Sequence, residues 1–207
     1  MEIDMKSMKL FLFTTIFFQL HATSKLIVMR HAQALNNVES RYNSNPAHPK
    51  YRPAPLTKKG RKQAEKAAQK LQRYGINKNN VAKVYVSPLP RTMQTAQALI
   101  HNDVASADKF VVDNQLIERS AGIREGQRHN LYDEFISHHK NAHTYGGETD
   151  EDVHKRMQKF YNNIEPSLHD GTTIVVTHSG PARELLRIAS GKPVSLGNAD
   201  FRVVSFA

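Results

Sequence analysis

Three separated segments of this chain carry side chains suited to chemistry on a phosphoryl group: Arg30-His31-Ala32, Ser87-Pro88-Leu89-Pro90-Arg91 and His178-Ser179-Gly180. Two guanidinium forks hold the non-bridging oxygens of a phosphate through bidentate, charge-assisted hydrogen bonds. An imidazole beside such cations stays neutral, because positive neighbours disfavour its protonation, and its free lone pair is a nucleophile. A second imidazole donates to the phosphoryl oxygens as charge moves in the transition state. A leaving alcohol still needs a proton, so a carboxyl acid belongs in the set. A buried histidine on its own is usually structural; the agreement of three segments carries the reading.

The elements that must position these residues are legible in the pattern. Leu26-Ile27-Val28-Met29 is a continuous apolar run, as expected of a strand covered on both faces. Val81 to Val86, Phe110 to Val112, Thr173 to Thr177 and Phe201 to Phe206 read as further strands. Between them lie helical patterns: Lys58 to about Arg73, capped by Thr57; a helix capped by Ser87 with Pro88 at its first position; Thr149 to about Ile164, opened by a capping box with Asp152; and Pro181 to Ala189. Met93, Ala96, Leu99 and Ile100 are expected to face inward from the second of these. Strand alternating with helix predicts an α/β three-layer sandwich, a mostly parallel sheet with helices on both faces. In such sheets ligands bind beyond the carboxyl ends of the strands. Arg30-His31, Ser87 to Arg91 and His178 all fall there, and Glu118, after the third strand, is the carboxyl best placed to join them. Val38 to Pro55 and Arg119 to Tyr145 leave and return to the same edge, so both are expected to form the rim, with Arg41, Tyr42, Arg52, Arg124 and Arg128 as candidates to contact a leaving group or to be solvated. Leu131 to Ile136 is a short amphipathic stretch within the second segment.

A chain of 207 residues buries enough surface for one domain with a real core. Cysteine is absent, which excludes disulfides, thiolate metal sites and cysteine nucleophiles. With 29 Lys and Arg against 19 Asp and Glu, the formal net charge is +10, which favours anionic partners. The lysines are scattered and no stacking motif accompanies them, so a nucleic-acid partner is not expected and steering of a small phosphorylated substrate accounts for the charge. His138, His139 and His143 lie in a polar segment without metal-ligand spacing, and neither metal nor cofactor is expected. At the start, Lys6 and Lys9 precede an apolar run from Leu10 to Leu20, followed by Ala22-Thr23-Ser24. These are the three parts of a secretory signal peptide, so residues 1–24 are expected to direct export, periplasmic or secreted, leaving a domain of residues 25–207. The run is short for a bilayer, so no stable membrane insertion is expected after cleavage.

The motifs together resemble the histidine phosphatase superfamily, with its phosphoglycerate mutase-like fold. Its opening Arg-His-Gly appears as Arg30-His31-Ala32. Its Leu-Thr-x-x-Gly-x-x-Gln-Ala appears as Leu56 to Ala64, and its Ser-Pro-x-x-Arg-x-x-x-Thr-Ala as Ser87 to Ala96. Glu118 with Gly122 and Glu125-Gly126 is similar to the acid segment, Gly147-Glu148-Thr149 to the Gly-Glu-Ser turn, and Val176 to Gly180 to the second histidine motif. The resemblance implies that His31 is the phosphorylated nucleophile, that Arg30, Arg91 and His178 complete the phosphate pocket, that Glu118 is the proton donor and that Asn37 contacts the phosphate. It departs from the family at Ala32, tolerable if the backbone there is not left-handed, and at Ser120-Ala121, where mutases of the family carry His-Tyr. The implied activity is a metal-independent phosphomonoesterase; a mutase-type phosphotransferase and a non-catalytic phosphate-binding module are the alternatives. If Glu118 is not the acid, Glu125 and Glu148 are the next carboxylates to consider.

Overall fold

The computed structural model describes residues 24–128 and 141–206. The expected leader up to Thr23, the stretch Leu131 to Ile136, and His138 and His139 lie outside the described residues. Ser24 is the first residue of β1 (Ser24–Arg30), so the domain boundary expected after it falls one residue inside that strand.

The chain then runs α1 (Leu35–Val38), α2 (Lys58–Arg73), β2 (Val81–Val86), α3 (Pro90–His101), β3 (Phe110–Val112), α4 (Asp150–Ile164), β4 (Thr172–Thr177), α5 (Ser179–Ser190) and β5 (Phe201–Phe206). The strands form one sheet in the order β3-β2-β4-β1-β5. β1 to β4 are parallel and β5 closes the edge antiparallel to β1. Among the described residues, no helix is long and apolar enough to cross a membrane.

Alternate residues of a strand face opposite sides, and this sequence uses both sides for packing. Ile27 and Met29 point to the layer of α2 and α3, where Ala68, Leu71, Ala96 and Leu99 are buried. Leu26 and Val28 point to the layer of α4 and α5, against Met157, Phe160, Leu185 and Leu186. β4, at the centre, is buried along its whole length. The expected α/β sandwich is therefore what the chain forms.

Two local expectations are corrected. α3 starts at Pro90 with Leu89 as its N-cap, rather than at Pro88 behind a Ser87 cap. The Ser87 hydroxyl is taken up by His178 instead, and Pro90 supplies the fixed φ that opens the helix. Along α3, Met93 is 40% exposed and Ile100 partly buried, while Thr92 and Thr95 face inward beside Ala96 and Leu99. α5 starts at Ser179, two residues before Pro181, which is tolerated because a proline in the first turn loses no intrahelical bond.

Candidate active site

β1, β2 and β4 end side by side, and each delivers its polar residues to the same edge. Arg30 is the last residue of β1 and His31 follows it; the His31 amide donates to the Thr177 carbonyl at the end of β4 (2.9 Å). The neighbouring motifs fix this turn. Thr57 caps α2 by accepting from the Gly60 amide, and its own amide donates to the Gln33 carbonyl. Gly60 must be glycine, because a Cβ there would lie 1.9 Å from the Gln33 oxygen. Gln63 Oε1 accepts from the Gln33 amide (3.0 Å). From the other side, Thr95 Oγ1 accepts from the Ala32 amide (3.0 Å). Ala32 is buried and is not among the residues with positive φ, so the missing glycine costs nothing there.

The tautomer of His31 follows from its two partners. Nδ1 lies 2.7 Å from the Ala32 carbonyl, an acceptor only, so Nδ1 carries the proton. Nε2 then holds a lone pair, and it accepts from Arg91 Nε at 3.2 Å. His31 is buried, and burial, with the Arg91 and Arg30 charges, holds it well below the usual imidazole range. It is a neutral base with its free nitrogen turned toward a guanidinium. The His178 ring centroid lies 5.1 Å away. His178 Nε2 bonds the Ser87 hydroxyl (2.7 Å), while its buried Nδ1 has no partner. Burial and then Arg91 push His178 down as well.

Arg91, in the first turn of α3, is 1% exposed. Burial lowers it to about 10, opposed by the charges of Glu118, Tyr51 and Glu125, so it remains a cation at neutral pH. Its terminal nitrogens donate to Asn43, Nη1 to Oδ1 (2.6 Å) and Nη2 to the backbone carbonyl (2.7 Å). Arg30 donates through Nη1 to the Leu196 carbonyl (2.8 Å), and its buried Nε has no partner. Among the described residues the Ser87 hydroxyl has no other acceptor, so it donates to His178 Nε2 and Nδ1 carries the proton; two buried donors at this edge, Arg30 Nε and His178 Nδ1, are thus without an acceptor. An unmade buried hydrogen bond costs about 1–3 kcal/mol, and a phosphoryl group supplies the acceptor oxygens that relieve it.

Glu118 stands in the segment after β3, partly exposed; one carboxylate oxygen accepts from the Arg119 amide (2.9 Å). Its charge is felt at both Arg30 and Arg91. Gly180, in the first turn of α5, lets this segment approach: a Cβ there would lie 3.3 Å from Glu118 Oε1. Beside Glu118 opens a cavity of about 420 Å3 lined by residues that include Ser44, Asn45, Ser120, Glu148 and Arg156. The other two carboxylates are engaged. Glu125 is fully buried and accepts from the Ser44 amide and hydroxyl. Glu148 takes a two-pronged bond from Arg156 (2.8 Å each) and one from the Ser120 amide.

The structure therefore brings together His31, Arg30, Arg91, His178 and, through the field, Glu118. Asn37 stands at the start of α1, where Oδ1 accepts from the Ala34 amide (2.9 Å) and from Asn198 Nδ2 (3.3 Å); a phosphate contact would be made by Nδ2, the donor of that side chain. Of the rim candidates, Arg41 bonds the Gly126 carbonyl and Arg124 lies over the Tyr42 and Tyr145 rings. Asn43, Ser44 and Arg156 were not legible as site residues. Arg156 carries a signal: it borders the buried stripe of α4 formed by Val153, Met157 and Phe160, and a charged residue at that border needs partners. Asn43 carries none, since nothing in the polar loop Val38 to Pro55 singles it out.

The model of the histidine phosphatase superfamily (branch 1) matches residues 26–204. A bifunctional protein of Mycobacterium tuberculosis is 30% identical over 181 residues, which cover 80% of this chain and 44% of that protein. The chain thus spans less than half of that relative's length. Phosphoserine phosphatase 1 of Hydrogenobacter thermophilus is 28% identical over 196 residues, 87% of this chain and 85% of that one. Among solved structures, a mycobacterial glucosyl-3-phosphoglycerate phosphatase in complex with VO3 superposes with a TM-score of 0.67 at 25% identity, over 87% and 92% of the two chains. A phosphoglycerate mutase from Bacillus anthracis gives a TM-score of 0.71 at 19% identity, over 90% and 89%, a likeness of fold.

Proposed function

This chain belongs to the histidine phosphatase superfamily, its phosphoglycerate mutase-like α/β fold included, and from that premise we propose that it is a phosphomonoesterase acting on small phosphorylated substrates through a phosphohistidine on His31. The observation that carries the reading is the lone pair on His31 Nε2, fixed by the Nδ1 bond to Ala32 and facing Arg91. In the first step Nε2 attacks phosphorus, the P–O bond to the leaving group breaks, and Glu118 gives the leaving oxygen its proton. Arg30, Arg91 and His178 hold the phosphoryl oxygens as charge shifts onto them. In the second step water attacks the phosphohistidine, Glu118 takes a proton from it, and His31 is released neutral. The positive field is supplied by guanidinium groups, so the reading is metal-independent; chelation should leave activity unchanged. Both named phosphatase relatives act on substrates bearing further polar groups, in keeping with a cavity lined by serines, Asn45 and Glu148 beside Glu118. Residues 1–24 are proposed to direct export of the domain, checked by the N-terminal mass of the protein from its native host.

Incubation with an aryl phosphate followed by rapid denaturation at alkaline pH should trap phosphohistidine in the wild type and none in His31→Ala. Turnover in His31→Ala comparable to wild type would sink the mechanism. A bisphosphorylated glycerate should yield free phosphate; isomer exchange without release would favour the mutase reading instead.

A further inference from the structure

We propose that Glu125, a carboxylate the reaction does not use, is a positioning residue that acts through Ser44 and Asn43 to hold Arg91 as an un-neutralised phosphoryl-binding cation. The inference rests on the proposed role of Arg91 and assigns that role a support.

A guanidinium has five N–H donors. Three of Arg91's are in use: Nε to His31 Nε2, Nη1 to Asn43 Oδ1 and Nη2 to the Asn43 carbonyl. One N–H on each terminal nitrogen is left over for a ligand. The holding group is neutral. A carboxylate in its place would fix the fork equally well but would cancel the charge a phosphoryl group needs. Asn43 has a single orientation, because Arg91 only donates and Asn43 Nδ2 in turn donates to the Arg52 carbonyl (2.7 Å).

Asn43 sits in a long loop, so something must fix it. Ser44, the next residue, is that anchor. Its amide donates to both oxygens of Glu125 (2.9 and 3.1 Å), and its hydroxyl donates to Oε2 (2.7 Å) while accepting from the Ala121 amide (3.2 Å). Glu125 is 0% exposed. The loop also pairs with the residues just after Glu125, since Gly126 donates to the Tyr42 carbonyl and Tyr42 to that of Gln127. The arrangement separates two tasks: a neutral amide touches the cation, and the carboxylate that anchors its loop lies one residue behind.

The test is the affinity of the folded protein for inorganic phosphate, by calorimetry, with turnover of one aryl and one alkyl phosphate. Asn43→Asp keeps the shape and adds the cancelling charge; phosphate affinity should fall at least about tenfold. Glu125→Gln keeps an acceptor for the Ser44 amide and removes the charge behind it; affinity should fall about three- to tenfold, with the aryl-to-alkyl rate ratio unchanged because the acid is untouched. Ser44→Ala, which removes only the hydroxyl contacts, should show a smaller loss and covers the case in which Glu125→Gln does not fold. Wild-type phosphate affinity in a folded Glu125→Gln, or in Asn43→Asp, overturns the proposal; if Glu125→Gln does not fold, wild-type affinity in Asn43→Asp or in Ser44→Ala does so. A shifted aryl-to-alkyl ratio in Glu125→Gln overturns it too, since Glu125 would then act on the leaving group. A wild type that binds phosphate with this ladder of affinities but hydrolyses no ester leaves the clamp standing and ends the phosphatase reading; a wild type that binds no phosphate ends both.

Discussion

The floor of the site and its wall handle buried polar groups in opposite ways. On the floor, at the ends of β1, β2 and β4, Arg30 Nε and His178 Nδ1 are buried without partners, and His31 keeps a lone pair. In the wall, built from the segments around Ser44, Ser120 and Glu148, the carboxylates are saturated: Glu125 by Ser44, Glu148 by Arg156 and Ser120. The unmet hydrogen bonds of the floor are ones a ligand can supply, and each costs stability until it is made. The difference separates groups that react from groups that hold shape, even though both sets are polar and close together.

The largest effect should come from the floor. His31→Ala removes the nucleophile, so activity should fall to background on every ester while circular dichroism stays near that of the wild type.

Next comes Glu118→Gln, which leaves the floor intact. Its loss should be of order 10²–10⁴ for an alkyl phosphate, whose alkoxide needs a proton, and far smaller for an aryl phosphate that departs unaided. Proportional losses on both esters would remove Glu118 from its role.

A third measurement concerns the neutral histidines. Both have folded-state values well below 6.5. Above about pH 6.5 neither state of the chain protonates them and they add no pH dependence. Below it the unfolded chain binds protons that the folded chain refuses, so stability should fall as pH drops, by up to about 1.4 kcal/mol per pH unit for each histidine. Urea unfolding between pH 5 and 7.5 should show this slope, reduced in His31→Ala. A pH-independent stability across that range would mean the floor is wetter than its burial suggests.

The smallest effect on chemistry should come from the wall. Arg156→Ala strips Glu148 and the carbonyls of Gln115 and Ile117 of their donor. Stability should drop by about 1–3 kcal/mol, with phosphate affinity nearly unchanged. A change in phosphate affinity larger than that in stability would blur the distinction between floor and wall.

What the sequence by itself determined is the floor and the fold that carries it. Apolar runs such as Leu26 to Met29 declare doubly covered strands, and in a parallel sheet every such strand ends on the same edge, so Arg30-His31, Arg91 and His178 had to converge. The spacing of Thr57, Gly60 and Gln63 likewise follows from one short-range requirement, the close approach of α2 to Gln33. The start of α3 differs from the sequence expectation because Ser87 and Pro88 satisfy the local rules for a helix cap; only the nearby His178 ring draws the serine hydroxyl away. No local pattern announces that Asn37 Oδ1 ties the Ala34 amide to Asn198, 161 positions on. The wall was decided by tertiary structure alone. Asn43 meets Arg91 across 48 positions and Ser44 meets Glu125 across 81, and loop-to-loop pairing of that kind has no period in the chain and no propensity to announce it. Hydrophobic periodicity encodes which face of an element is buried; it does not encode which polar group in one loop will find which in another.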